Sequence, residues 1–371
     1  MAPEDPTAGA SPLAGIRVLD LSQTLPGPFC TQVLADLGAE VLKVEPPAGD
    51  MTRHSPTGIF DTANRNKDSL VIDLKRPEGV AACLRLAARC DVFVEGFRPG
   101  VMQRLGVGYA QVAQVRPDVV YCSISGYGQE GPMARAPGHD LNYLAGSGAL
   151  AFSGSWRRQG PQRSGLPVAD LSASLYAAVS ILAALRQRDA TGQGAHLDIA
   201  LADCATAWAT ARGGRNQRIR DEDRLHLFPT NDLFRCADGR RIALGVVEEH
   251  FWHNLCRAVG AQEPRVLEPR FADEAGRRAH GDELSLLLAE LFLHDTAQAW
   301  VERLSGFDVP VQQVLALPDA MSTPHAAARG LVQTHDAQRH MTCPVVWNGR
   351  PVARVRRNPP GLGADTARWL D

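Results

Sequence analysis

Over roughly the first 200 residues, short apolar and β-branched runs alternate with stretches whose apolar residues recur at helical spacing. This alternation restricts the fold more than any other feature of the chain. The runs fall at 16–21, 40–45, 70–74, 91–95, 119–125 and 196–201. Parallel strands cannot be joined by a tight turn and need a crossover of a dozen or more residues, commonly a helix. Residues 26–37 fit such a crossover, with Pro28 tolerated in a first helical turn, and residues 77–89 fit a second. The expectation is therefore an α/β domain of βα units wound on a parallel sheet. Residues 171–188, LSASLYAAVSILAALRQR, predict a long helix closed by Gly192 and Gly194, with Asp170 at its N-cap.

The pattern then changes. Residues 213–224 are charged and almost free of apolar side chains, which predicts a connection between domains. Beyond them, LFRCADGRRIALGV predicts a hairpin turning at Asp238-Gly239, followed by helices over 248–259, 281–293 and 296–304. The organisation expected is a large α/β domain over 1–212, a linker with a small α+β domain over 213–325, and a C-terminal segment, 326–371, returning to the large domain.

The formal charge of −2 and pI near 6.6 provide no net basic field, so nucleic acid and membrane surfaces are not expected partners. The 8 cysteines form no C-x-x-C pair and read as reduced thiols, with neither a disulfide framework nor a zinc site expected. The first residues lack the basic and apolar regions of a signal peptide, and no apolar run approaches the ~18 residues of a membrane span. A soluble, cytoplasmic protein is the expectation. The phosphate loops of dinucleotide and NTP sites, a G-x-S-x-G elbow and H-E-x-x-H spacing are all missing, so no metal and no tightly bound cofactor are expected.

Four groups of residues could carry chemistry. Gly138, His139, Asp140, Asn142 and Tyr143 lie in a turn beyond the carboxyl end of the 119–125 strand, where open α/β sheets collect their ligands. Asp170 opens the long helix, where a carboxylate serves as a cap or, held ionised by the helix dipole, as a nucleophile or base. Glu248 follows a strand and opens a helix, a position in which acids commonly meet the helix dipole. Asn64, Arg65 and Lys67, and then Gly96 and Arg98, lie at strand edges, where a charged donor reaches a bound anion or simply faces solvent.

Taken in order, LAGIRVLDLSQTLPGPFCTQVLADLGAEVLKVEPPAGDMTR, NRNKDSLVIDLK, EGFRPGVMQRLGVGY, SISGYGQEGP and GHDLNYLAGSG resemble the family III CoA-transferase superfamily, CaiB/BaiF, and within it the α-methylacyl-CoA racemase branch. The resemblance implies a Rossmann-like large domain, a smaller α+β domain and an interlocked homodimer. It implies an acyl-CoA thioester as substrate, coenzyme A being part of that substrate. Lys67 and Arg98 would lie near its phosphates, with Asn64, Arg65 and Gly96 around them, and 138–143 along the pantetheine. The aspartate matching Asp170 is catalytic in both branches. In the racemases a histidine, here His139, exchanges the α-proton on one face and the aspartate on the other, with Glu248 supporting the histidine. A histidine is the side chain whose charge changes most readily near neutral pH. The expectation is an acyl-CoA racemase or epimerase acting through an enolate on a 2-methylacyl-CoA. The alternatives are a CoA-transferase with Asp170 as nucleophile and a non-catalytic CoA-binding protein.

Overall fold

The computed structural model describes residues 11–158, 160–213 and 224–370, which group into two compact units. Unit one takes the described parts of Met1–Ser147, Gly165–Trp208 and Met321–Asp371; unit two takes those of Gly148–Ser164 and Ala209–Ala320. Residues 148–164, kept with the large domain on sequence grounds, therefore belong with the second unit. Trp156 shows why: its backbone N–H donates to Asp232 and its indole N–H to Asp282, each at 2.9 Å. Most of the 213–224 connection lies outside the described residues.

Unit one is built on a parallel sheet of β1 (Arg17–Asp20), β2 (Glu40–Glu45), β3 (Lys67–Val71), β4 (Val92–Glu95), β5 (Val120–Ser125) and β6 (Ala195–Ala200). Their order is β3-β2-β1-β4-β5-β6, the doubly wound arrangement, in which the strand order reverses beside β1. The third strand begins three residues earlier than expected, because the polar start Lys67-Asp68-Ser69 is buried, Lys67 and Ser69 as fully as Leu70. On one face Leu19, Leu42, Leu70, Phe93 and Tyr121 pack under α2 (Pro77–Ala87) and α3 (Tyr109–Val115). On the other, α1 (Pro26–Asp36) packs against the long helix α5 (Val168–Thr191). Between β5 and α5 lies the short helix α4 (Asp140–Gly146).

Helix α5 is long and apolar enough to cross a membrane by length and composition, contrary to the expectation that no segment would be; half of that window is buried in the protein. Ala169, Ala173, Ala177 and Ile181 form its buried stripe, at the four-residue spacing of one helix face. Small side chains there let α1 approach closely.

The outer edge of β3 is covered by the C-terminal segment. Asp365 accepts from the backbone N–H of Ser69 at 2.9 Å and Thr366 Oγ1 from that of Val71 at 3.0 Å. An exposed row of strand donors invites pairing with another chain, and this segment satisfies it instead.

Unit two has an antiparallel sheet of β7 (Asn231–Arg235), β8 (Arg241–Gly245) and β9 (Val311–Gln313). The hairpin turns through Gly239 at φ +78°, a conformation that glycine adopts without steric cost. Helices α6 (Glu249–Val259), α7 (Gly281–Phe292) and α8 (Ala297–Ser305) bury Trp252, Leu288, Phe292 and Trp300 against Phe234 and Ile242.

Candidate active site

The site in unit one is assembled where α4 meets the start of α5. The Tyr143 hydroxyl donates to the Gly138 carbonyl at 2.7 Å and closes the turn before α4. A Cβ on Gly138 would stand 2.7 Å from the Tyr143 ring and one on Gly126 2.6 Å from its hydroxyl, so the ring demands glycine at both places. The His139 backbone N–H donates to Asn142 Oδ1 at 3.0 Å, capping α4 and leaving the His139 side chain exposed.

Asp140, the first residue of α4, reaches across to α5. Its Oδ1 accepts the backbone N–H of Ala169 at 2.7 Å and of Asp170 at 3.3 Å. The sequence pattern predicts Asp170 as the cap of its own helix. The structure corrects this: α5 begins at Val168 after Pro167, Asp170 sits within the first turn, and the capping carboxylate comes from Asp140.

The electrostatic expectation reverses as well. Burial, and then the neighbouring Asp140 carboxylate, push the Asp170 carboxyl up to about 7 from its ordinary 3.8. The helix dipole favours the anion by only ~0.3–1 kcal/mol in most settings, less than desolvation and a like charge together cost. Tyr143 is pushed up by burial, by Tyr127 and by Asp170, with Arg98 acting in the opposite sense. Asp170, Tyr143 and Arg98 thus share one electrostatic neighbourhood. Arg98 and Gly96 are exposed at the carboxyl end of β4.

A second cluster holds the floor of this unit. Asp20, Lys43 and Lys67 are all 0% exposed. Lys67 Nζ meets Asp20 at 3.0 Å, Asn64 Oδ1 at 2.9 Å, Thr31 Oγ1 at 2.8 Å and the Pro28 carbonyl at 2.9 Å. Lys43 Nζ meets Asp50 and the Ser22 carbonyl, each at 2.9 Å. These two ammonium groups pin the loop between β1 and α1. Burial raises the Asp20 carboxyl, but Lys67, Lys43 and the hydroxyls of Ser22 and Thr31 outweigh it and hold the group down to about 2. Ser174 Oγ lies 2.8 Å from the Pro26 carbonyl and 2.7 Å from that of Asp170, so its one hydrogen can serve either, and the residue ties α5 to the start of α1.

A match to the model of CoA-transferase family III extends over residues 13–366. The chain belongs to that family. Family members similar to it include acetyl-CoA:oxalate CoA-transferase of Acetobacter aceti, 33% identical over 88% of this chain and 87% of that protein. Succinyl-CoA:glutarate CoA-transferase of Mus musculus is 33% identical over 99% and 88%, and α-methylacyl-CoA racemase of Homo sapiens 32% identical over 94% and 90%. The crystal structure of a CAIB/BAIF family protein from Brucella suis superposes with a TM-score of 0.85 at 27% identity, covering 97% of this chain and all of that one.

Within this family III scaffold the residues singled out from sequence separate into three sets. Gly138, His139, Asp140, Asn142, Tyr143 and Asp170 come together, with Gly96 and Arg98 at the nearby strand end. Asn64, Arg65 and Lys67, expected around the CoA phosphates, are instead internal: Asn64 and Lys67 are 0% exposed, and Arg65 pairs with buried Asp36 at 2.5 Å. A phosphate has no route to the Lys67 ammonium, whose donors are already engaged. Asp140 and Asn142, expected along the pantetheine, have a side-chain oxygen committed to α5 and to α4 respectively. Glu248 lies exposed in unit two as the N-cap of α6, accepting Phe251 and Trp252 N–H through its carbonyl. Its neighbour Glu249 makes the ion pair, with Arg277 at 2.8 Å.

Sequence reasoning missed the buried charges of β1 and β2 and the polar group at Glu95. A signal was present in LDLS and EVLKVE, where charged residues interrupt strands too apolar to face water.

Proposed function

We propose that this family III enzyme is an acyl-CoA racemase or epimerase acting at the α-carbon of a 2-methylacyl-CoA thioester. The observation that carries the reading is the placement of Asp170 against His139-Asp140, where Asp140 Oδ1 accepts the Ala169 and Asp170 N–H groups; burial and that carboxylate push the Asp170 carboxyl up to about 7. A group with its pKa near the working pH both accepts and returns a proton, as two-sided exchange requires. His139 supplies a second carrier: it immediately precedes Asp140, whose carboxylate bonds the Asp170 N–H.

In the forward direction one of the two side chains removes the α-proton. The C–H electron pair moves onto the thioester oxygen as an enolate, and the other side chain delivers a proton to the opposite face. Reversal exchanges their roles. Backbone N–H groups beside the acyl group would stabilise the oxygen charge. Arg98, exposed and at the carboxyl end of β4, is suited to a CoA phosphate, since a guanidinium matches phosphate geometry. The enzyme acts as a homodimer in this reading, and the exposed Leu175, Tyr176 and Val179 on α5 offer it an apolar surface.

A second reading is favoured by a specific observation: the similar relatives named as oxalate and glutarate enzymes are CoA-transferases. In that chemistry Asp170 attacks the thioester carbonyl, expels CoA thiolate as a mixed anhydride forms, and His139 only positions the acyl group. Incubation with a 2-methylacyl-CoA in D2O separates the two. Loss of the α-proton without any acceptor acid supports racemisation. Transfer of CoA to a free acid, with hydroxylamine-sensitive labelling of Asp170 and no α-exchange, overturns it.

A further inference from the structure

Glu95 ends β4 immediately before the turn 96–100 and is 4% exposed. Its Oε2 accepts the Phe97 backbone N–H at 2.8 Å, the bond that bends the chain toward Arg98. Across the sheet Glu95 is paired in register with Ser123 of β5, whose hydroxyl favours the charged form of the carboxyl. The same Ser123 Oγ lies 3.1 Å from His196 Nε2 on β6, and the His196 ring is stacked on Tyr109 at 4.6 Å and 16°. A cavity lined by Glu95, Arg98, Tyr109, Ser123, Gln129 and His196 opens over this row. The row runs Phe97 N–H, Glu95 carboxyl, Ser123 hydroxyl, His196 imidazole, with Glu95 and Ser123 neighbours in register on adjacent strands.

Ser123 has one hydroxyl hydrogen, so it cannot donate in both directions. When Glu95 is ionised, Ser123 donates to it and accepts from His196 Nε2–H. When Glu95 carries the proton, it donates to Ser123, which turns and donates to an unprotonated Nε2. The two arrangements differ in the charge that holds the Phe97 N–H. A charged acceptor makes a hydrogen bond stronger than a neutral one by ~1 kcal/mol.

We propose that Glu95 and His196, joined through Ser123, are positioning residues that hold the turn 96–100 in the shape that presents Arg98 to the phosphates of a CoA thioester. This rests on the CoA-binding reading of Arg98. The relay switches in the physiological range: burial, opposed by the Phe97 and Ser123 hydrogen bonds and reinforced by Asp198, raises Glu95 to about 7. Burial lowers His196, with Asp198 opposing. Besides these, Arg98 of the turn, Tyr109 of α3 and Tyr121 of β5 line the same cavity.

The test is CoA affinity by calorimetry at pH 6 and pH 8, with KM and kcat for the thioester beside it. The intact enzyme should bind CoA about threefold to tenfold more weakly at pH 6 than at pH 8, the ratio expected for ~1 kcal/mol, and at pH 8 Glu95→Gln should raise KM by the same ratio with kcat unchanged relative to the unaltered enzyme. Glu95→Gln, which keeps an acceptor for Phe97 but no charge, should bind at the weaker level at both pH values. Glu95→Asp should recover part of the pH response. Ser123→Ala, the gentler change, should shift the His196 titration midpoint followed by NMR. Wild-type affinity in Glu95→Gln at both pH values, or an unmoved His196 midpoint in Ser123→Ala, would overturn the relay. Failure of the unaltered enzyme to bind CoA at either pH would overturn the CoA reading itself, and the relay's role with it.

Discussion

Unit one encloses two aspartates to different degrees, Asp20 fully and Asp170 in part, and they end in opposite electrostatic states. Asp20, fully enclosed, is held down to about 2, whereas Asp170, less enclosed, is pushed up to about 7. Burial acts on both in the same direction. What differs is the company: Asp20 has two ammonium groups and two hydroxyls, while the named charge beside Asp170 is another carboxylate. An enclosed acid surrounded by cations and donors is structural, since its proton is gone at every pH at which the protein works. One left beside a like charge retains a proton to exchange, and that distinguishes a reactive carboxyl from a structural one.

The contrast can be broken at either end. The largest effect is expected for Asp170→Asn, which removes the carrier and should lower α-proton exchange by ~100-fold to 10,000-fold with the fold retained. An assay within threefold of the unaltered enzyme would remove Asp170 from the chemistry. Lys67→Ala leaves Asp20 without its main partner and should cost about 3–5 kcal/mol in denaturant unfolding, as breaking a buried ion pair does. If Lys67 instead served a phosphate, CoA affinity would fall while stability held. Asp140→Asn keeps an acceptor for the α5 N–H groups but removes the like charge. It should move the acidic limb of the pH–rate profile to lower pH, with a stability change of about 1 kcal/mol or less.

The smallest effect is in thermal stability, and its sign differs for the two acids. The Asp20 carboxyl is depressed in the folded protein, so its contribution is fully present above the ordinary pKa of 3.8 and is lost as pH falls toward about 2. The Asp170 carboxyl is raised, so folding is favoured most below 3.8 and loses that contribution as pH rises through about 7. Asp170→Asn should therefore raise Tm by a few degrees at pH 8 and less at pH 5. An increase confined to pH 5 would mean that the Asp170 charge is well accommodated.

Much of the sheet was legible in the sequence because buried parallel strands announce themselves by apolar runs, and the six runs all carry strands of the sheet. Helix α5 was legible from its Ala and Leu content, but its start was not. A helix opens where its first N–H groups find acceptors, and here that acceptor, Asp140, lies 29 residues before Ala169. The same limit hid the fate of Asn64, Arg65 and Lys67. Their charge suggested an exposed anion site, and only the fold brings Asp20 and Asp36 against them. Residues 148–164 were misplaced for a related reason, since the partners of Trp156 at Asp232 and Asp282 are distant in sequence.

The most direct test is the titration of the Asp170 carboxyl itself, followed by carbon NMR with Asp170→Asn as the assignment control. The predicted midpoint is near 7, falling toward the ordinary carboxylate range in Asp140→Asn. A midpoint at or below 4 in the unaltered enzyme, unmoved by Asp140→Asn, would contradict the account.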